Sequence, residues 1–215
     1  MNSLRIAWQA YGREPLAQRL HVLIRALTCP FRALLDRFPR SGSVLDVGCG
    51  HGLLVNLLAR DPQRRQLRLS GIDHDAAKIE VARRAAPPGV ELSTCRLEEL
   101  PEAGFDVVSI FDVLYTVRAD VWGEILGGCF RVLRPGGVLI VKEVVDRPRW
   151  KYWAIMAQES LSVMIFKITK GDPPHFESAA VYSRAMETAG FRVCEVVPLP
   201  SATWISHCLF VGRKP

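Results

Sequence analysis

The run Val44-Leu45-Asp46-Val47-Gly48-Cys49-Gly50-His51-Gly52, followed by Leu53-Leu54-Val55-Asn56-Leu57-Leu58-Ala59, leaves few folds open to this 215-residue chain. Val44, Leu45 and Val47 read as a short buried strand, the glycines as a turn that only a bare backbone can make, and the leucine-rich run as a helix. Such a unit exposes main-chain amides at the start of the helix, where a polar ligand can lie directly on the backbone. It is the opening of a nucleotide-binding α/β fold.

The spacing narrows the ligand. A dinucleotide fingerprint needs a third glycine three residues after the second, and Leu53 stands there. The glycines fall instead at 48, 50 and 52, with Asp46 two residues before the first. A carboxylate at that place repels a pyrophosphate and suits a ligand carrying an ammonium and a sulfonium. Taken alone, the loop also fits an ordinary tight turn, so the rest of the chain has to decide.

Downstream, the pattern alternates strand and helix. Leu67 to Ile72 reads as a second strand ending at Asp73, 21 residues beyond Gly52, the spacing at which a strand-end acid meets ribose hydroxyls. Asp75 reads as the cap of a helix from Ala76 to Ala86. Pro87-Pro88-Gly89 stops that helix, and Val90 to Thr94 and Phe105 to Phe111 follow as strands. Asp112 and Tyr115 come at the end of the fourth strand, where the ligand crevice of an open α/β sheet lies. A helix from Val121 to Leu133, the Arg134-Pro135-Gly136-Gly137 turn and a fifth strand from Val138 to Val141 come next. Ser178 to Ala189 reads as a further helix, and Phe191 to Val197 with Ser206 to Val211 as a closing antiparallel pair. Ahead of the glycine loop, Pro15 opens a helix on which Leu16, Leu20, Leu23 and Leu27 share one face. A short helix from Phe31 to Phe38 follows, closed by Pro39 and the Ser41-Gly42-Ser43 turn. These helices are expected to cover the pocket, with Trp8 and Tyr11 as pocket candidates or as plain packing.

Taken together, the residues resemble the class I S-adenosylmethionine-dependent methyltransferases. Motif I of that family is acid-x-Gly-x-Gly-x-Gly, and Phe130 to Leu139 is similar to the family's stretch before its fifth strand. The resemblance covers Ser43 to Lys214. It implies a Rossmann-like α/β sheet of seven strands, mostly parallel with an antiparallel last strand and helices on both faces. It divides the chain into an N-terminal helical cover (1–40), a cofactor-binding core (41–145), a lid or substrate-side insertion with a helix (146–190) and C-terminal strands (191–215). The cofactor implied is S-adenosyl-L-methionine, held by Asp46, Gly48, Cys49, Gly50, Gly52, Asp73, His74, Arg96, Leu97 and Asp112. One departure stands out. Cys95-Arg96-Leu97-Glu98-Glu99-Leu100-Pro101 aligns with a family stretch whose Asp accepts from the adenine amino group, and Arg96 cannot accept. Stacking of Arg96 on adenine and a bond from the Leu97 amide are the remaining options.

The chemistry implied is methyl transfer, with a base required only where the nucleophile must lose a proton. His207 and His175 are the neutral-pH candidates, with Tyr115 beside the reacting group and Glu143 in reserve. O-methylation of a hydroxylated, largely apolar small molecule comes first. The narrower similarity is to bacterial enzymes of lipid or polyene biosynthesis; the acceptor is then either free or presented by an acidic acyl carrier protein, which the basic surface would receive. Protein or RNA methylation, a nicotinamide-dependent reductase and a non-catalytic adaptor are the rival readings.

Composition constrains partners only loosely. The net charge of +6 permits nucleic acid, an anionic membrane or an acidic protein, but no basic run interleaved with aromatics favours nucleic acid. The apolar stretch from Ala154 to Ile168, preceded by Arg147, Arg149, Trp150 and Lys151, reads as a substrate lid or as a helix lying on a membrane. Six cysteines without a Cys-x-x-Cys pair argue against a metal site and for a reducing, cytoplasmic setting. No stretch reads as a signal peptide or a membrane span.

Overall fold

A computed structural model describes residues 2–145, 176–200 and 206–215. The elements are α1 (Ser3–Ala10), α2 (Leu16–Thr28), α3 (Phe31–Leu35), β1 (Ser41–Val47), α4 (Leu53–Ala59), β2 (Gln66–Ile72), α5 (Ala76–Ala85), β3 (Val90–Ser93), β4 (Phe105–Phe111), α6 (Trp122–Val132), β5 (Leu133–Val144), α7 (Ala179–Thr188), β6 (Arg192–Leu199) and β7 (His207–Arg213).

The seven strands form one sheet in the order β3-β2-β1-β4-β5-β7-β6. The first five run parallel. Strand β7 enters antiparallel between β5 and β6. Successive side chains of a strand point to opposite faces, and the core divides accordingly. Val44, Val107, Ile140 and Leu209 pack on one face with Leu57, Leu58, Val22 and Tyr11. Leu45, Val108, Val141 and Phe210 pack on the other with Leu126, Val132, Tyr182 and Met186. The strand order reverses between β1 and β4, which opens a crevice beyond their C-terminal ends.

The expected sheet is present, and several boundaries differ. Ser41-Gly42-Ser43 is the start of β1 and not a turn. Gly42 sits at φ +111°, and the Ser43 backbone N–H and hydroxyl both donate to Asp106 Oδ2, at 2.7 and 2.8 Å. Strand β5 begins at Leu133. Its pairing with β4 is irregular between Phe105 and Val107, which lets Arg134 to Gly137 be absorbed into the strand. Helix α3 ends at Leu35, ahead of Pro39. Helix α1 was not anticipated, because eight residues with Arg5 and Gln9 interrupting the apolar pattern carry little periodicity.

The leucine face of α2 also departs from expectation. Leu16, Leu20 and Leu27 are exposed, at 79, 40 and 59%, whereas Val22 and Ala26 are buried. The helix turns its smaller apolar residues inward because α1 lies close against it, with Ser3 Oγ donating to Ala26 O at 3.2 Å. Trp8 is likewise 57% exposed, with the Arg19 guanidinium 3.7 Å above its ring, and takes no part in the pocket. Among the described residues, no helix is long and apolar enough to cross a membrane.

Candidate functional site

The glycine loop leaves β1 with Gly48, Gly50 and Gly52 at φ +70, +54 and +74°, a region that L side chains reach only under strain. Gly48 is also required sterically, since a Cβ there would come within 2.4 Å of Val113 Cγ2. The amides of Gly48 and Cys49 both donate to Ile72 O, at 2.8 and 3.0 Å, which binds the loop to the end of β2. Asp73, the next residue after β2, completes the brace. Its Oδ2 accepts from the Gly50 amide at 2.8 Å and its Oδ1 from the Asp75 amide at 2.9 Å. Two acceptor positions of the carboxylate remain for a ligand's hydroxyls. Asp75 caps α5 as expected, accepting from Ala77 and Lys78 amides at 3.0 and 3.3 Å.

Over this loop opens a cavity of about 220 Å³. Asp46, Gly48, Cys49, Gly50, Asp73, His74, Asp112 and Tyr115 all line it, so the fold gathers eight of the residues singled out from sequence. Asp46 is buried and accepts from Ser109 Oγ at 2.7 Å; burial pushes its carboxyl up to about 7, and the Ser109 bond and Arg25 only partly oppose that. Burial also raises the Cys49 thiol, with Asp46 and Asp73 adding to the shift, so it stays protonated.

Four site expectations meet a different placement. Gly52 is not in the pocket wall; its Cα abuts α5, where a Cβ would lie 3.0 Å from Ala82 Cβ. Arg96 is exposed outside the wall, its backbone N–H donating to Glu99 Oε1 at 2.9 Å. Leu97 is buried against Gly128 with its carbonyl bonded by Arg131. His207 is 6% exposed and lies behind the wall, and neither ring nitrogen has a hydrogen-bond partner among the described residues. Burial lowers it to about 4, with Lys142 acting in the same direction, so it is a neutral imidazole at pH 7. His175 and the stretch from Ala154 to Ile168 lie outside the described residues.

The structure adds groups that the sequence reading passed over. His21, Arg25, His51 and Lys78 also line the cavity. The His21 and His51 rings stand 5.1 Å apart, and burial lowers them to about 3 and about 4. Tyr11, buried, donates from its hydroxyl to His51 O at 2.6 Å and accepts from Asn56 Nδ2 at 3.1 Å, which pins α1 to the glycine loop. At the end of β4, Asp112 adopts φ +60°, a position usually left to glycine or asparagine. Lys142 Nζ bonds both of its oxygens, at 2.6 and 2.7 Å, and Arg25 Nη1 lies 3.2 Å away. Burial alone would raise that carboxyl, but Lys142 and then Arg25 outweigh it and hold it below the ordinary range. Glu143 Oε1 accepts from the Val113 and Leu114 amides at 3.1 and 2.8 Å; burial and then Asp112 push its carboxyl up to about 8. A lysine inside the otherwise apolar run Val138 to Val141 and Val144 was the one legible sign of this cluster.

A glycine-floored crevice with Asp46 and Asp73 in its wall, at the reversal point of a parallel sheet, defines a nucleotide-type cofactor site. Space above Gly50, where a Cβ would meet nothing within 4 Å, leaves the backbone open to such a ligand. Residues 44–137 match the methyltransferase domain family. A ubiquinone biosynthesis O-methyltransferase of Psychrobacter arcticus is 28% identical over 177 residues, covering 76% of this chain and 66% of that protein. A probable S-adenosylmethionine-dependent methyltransferase of Mycolicibacterium smegmatis is 33% identical over 156 residues, covering 70% of this chain and 52% of that one. The chain thus spans about half to two thirds of these curated relatives. Geranyl diphosphate C-methyltransferase of Streptomyces coelicolor, solved with Mg²⁺, geranyl diphosphate and S-adenosyl-L-homocysteine, superposes with a TM-score of 0.66 at 16% identity, over 96% of this chain and 86% of that one. The chain belongs to the class I S-adenosylmethionine-dependent methyltransferase superfamily, and its cofactor is S-adenosyl-L-methionine.

Proposed function

We propose that this chain transfers a methyl group to a hydroxyl oxygen of a largely apolar small molecule. The observation that carries the reading is the mixed lining of the cavity. Asp46 and Asp73 line it beside the glycine loop, and Phe31, Phe111, Val113, Tyr115 and Val117 line it as well. The acids suit the cofactor, and the aromatic and aliphatic side chains suit an apolar acceptor. The names of the relatives from Psychrobacter and Neisseria, ubiquinone biosynthesis O-methyltransferases, support oxygen as the methylated atom.

When bound, S-adenosylmethionine supplies an activated methyl group that passes to the acceptor by in-line displacement. The chain's own share is position and proton handling. Asp73 offers its remaining acceptor positions to the ribose, and the Asp46 carboxylate lies where a ligand ammonium would lower its raised pKa. Tyr115, stacked on Phe176 with ring centres 5.4 Å apart, borders the acceptor. His207, buried outside the cavity lining, is given no part in proton transfer. All six cysteines are free thiols, which fits a reducing cytoplasmic setting.

The test has two stages. Titration calorimetry with S-adenosylhomocysteine should give micromolar affinity that weakens at least about ten-fold in Asp73→Ala, the cost of removing a charge-assisted bond. Labelled methyl transfer is then assayed with a prenylated catechol, an aliphatic amine, a carrier-bound hydroxyacyl chain, a protein mixture and tRNA. Transfer to the catechol or the carrier-bound chain supports the reading and tells free from tethered acceptors. Transfer to amine, protein or RNA alone overturns it, and absence of cofactor binding would favour an adaptor.

A further inference from the structure

We infer that the outer face of α1 and α2 is a docking surface for an anionic lipid bilayer. Among the described residues, eight large hydrophobic side chains are exposed, and six of them lie on these two helices: Leu4, Trp8, Leu16, Leu20, Ile24 and Leu27. The spacing 16, 20, 24, 27 puts the α2 residues on one stripe of the helix, about 17 Å long at 1.5 Å per residue. Leu4 and Trp8 form the matching pair on α1. The Arg19 guanidinium, stacked on the Trp8 ring at 3.7 Å, joins the two helices at this face. An exposed apolar stripe of this kind, among the described residues, marks an interaction site.

Charge identifies the partner. The first 40 residues hold seven arginines against Glu14 and Asp36, a net +5 out of +6 for the whole chain. Glu14 is moreover paired with Arg84 at 2.7 Å. Neither α1 nor α2 contains an acidic residue. Of the seven arginines, Arg25 is bound to Asp112 on the cavity side and Arg37 to Glu195, which leaves Arg5, Arg13 and Arg19 on α1, α2 and the turn between them. Leucines and a tryptophan on one face with arginines of this kind beside them are the composition of helices that lie in a bilayer interface and hold to anionic headgroups. An acidic protein would meet the arginines but leaves a broad aliphatic stripe against water. The opposite side of α2 supplies His21, Val22 and Arg25 to the cavity wall. Docking through α2 therefore sets the cavity within about one helix diameter, 10–12 Å, of the bilayer surface.

The experiment is co-sedimentation of the full chain with vesicles of phosphatidylcholine alone and of phosphatidylcholine with phosphatidylglycerol, for the wild type and for Leu16→Asp combined with Leu27→Asp. Both positions are more than half exposed, so the pair tests the surface and not the core. Binding to the anionic vesicles should exceed binding to the neutral ones. The double variant should lose about ten-fold or more of it, with its melting temperature and its affinity for S-adenosylhomocysteine unchanged. The cofactor titration separates this result from any failure of the methyl-transfer reading. Four results overturn the inference: a wild type that ignores anionic vesicles, a variant that binds as well as the wild type, a wild-type dimer that the variant converts to monomer without vesicle binding, or a variant whose melting temperature falls by several degrees. The third assigns the face to a second copy, and the fourth to the chain's own residues.

Discussion

Replacing Lys142 by methionine isolates the buried ion cluster at the end of β4. Lys142 is 1% exposed and Asp112 8%, with contacts of 2.6 and 2.7 Å. At an effective dielectric constant of about 20, unit charges that close attract by about 6 kcal/mol before desolvation is counted. Arg25, 3.2 Å from the same carboxylate but 34% exposed, retains part of the compensation. The variant should therefore lose about 3–5 kcal/mol, the usual cost of leaving one member of a buried pair alone. Its pH dependence should also differ in sign. In the wild type the depressed Asp112 pKa contributes stability that is present above the unfolded carboxylate value and fades as pH falls through the lower folded value. Without Lys142, burial prevails and raises the folded value, so that contribution becomes a penalty growing as pH rises through the unfolded value. Asp112→Asn keeps a residue that accepts φ +60°, and the double variant carries neither charge, so it should be more stable than Lys142→Met. Urea denaturation of all four proteins at pH 5 and pH 7.5 measures the coupling. A Lys142→Met loss under about 1 kcal/mol, or strictly additive effects in the cycle, would refute the reasoning.

Other perturbations follow from the same contacts. Gly48→Ala adds a left-handed penalty of about 1–2 kcal/mol to a 2.4 Å overlap with Val113, so denaturation should show a loss of about 2–4 kcal/mol and calorimetry a weakened affinity for S-adenosylhomocysteine. Tyr11→Phe leaves His51 O without its donor while Asn56 Nδ2 keeps Gly52 O; stability should fall by about 1–3 kcal/mol, and cofactor affinity with it, because the bond shapes the loop. Glu143, raised to about 8, holds a proton that the unfolded chain releases above about 4.3. Its folded state therefore loses stability as pH climbs through that window, and the advantage of Glu143→Gln over the wild type, read by thermal melting, should grow from pH 4.5 to pH 8.

Much of this could be read from the chain because it is local. The β1 run, the three glycines, Asp73 at its distance and the capping Asp75 are set by short-range sterics and hydrogen bonds, and alternating apolar strands identify a sheet covered on both faces. The cofactor half of the site was legible for that reason. Which side of a helix faces the core is a different matter. In α2, every third or fourth residue is leucine, yet the tertiary packing buries Val22 and Ala26 and turns Leu16, Leu20 and Leu27 outward, because α1 and the cavity claim the opposite side. Periodicity finds an apolar stripe but contains no information about what lies against it. Arg25, Lys142, Asp112 and His207 are far apart in sequence, and only the pairing of β5 with β4 and β7, together with α2 crossing above, brings them into one cluster. Sequence fixed the floor of the site through neighbours along the chain. Its walls and electrostatics were decided by contacts between residues far apart in the chain, such as Arg25 and Asp112, 112 − 25 = 87 positions apart, whose distances no local rule contains.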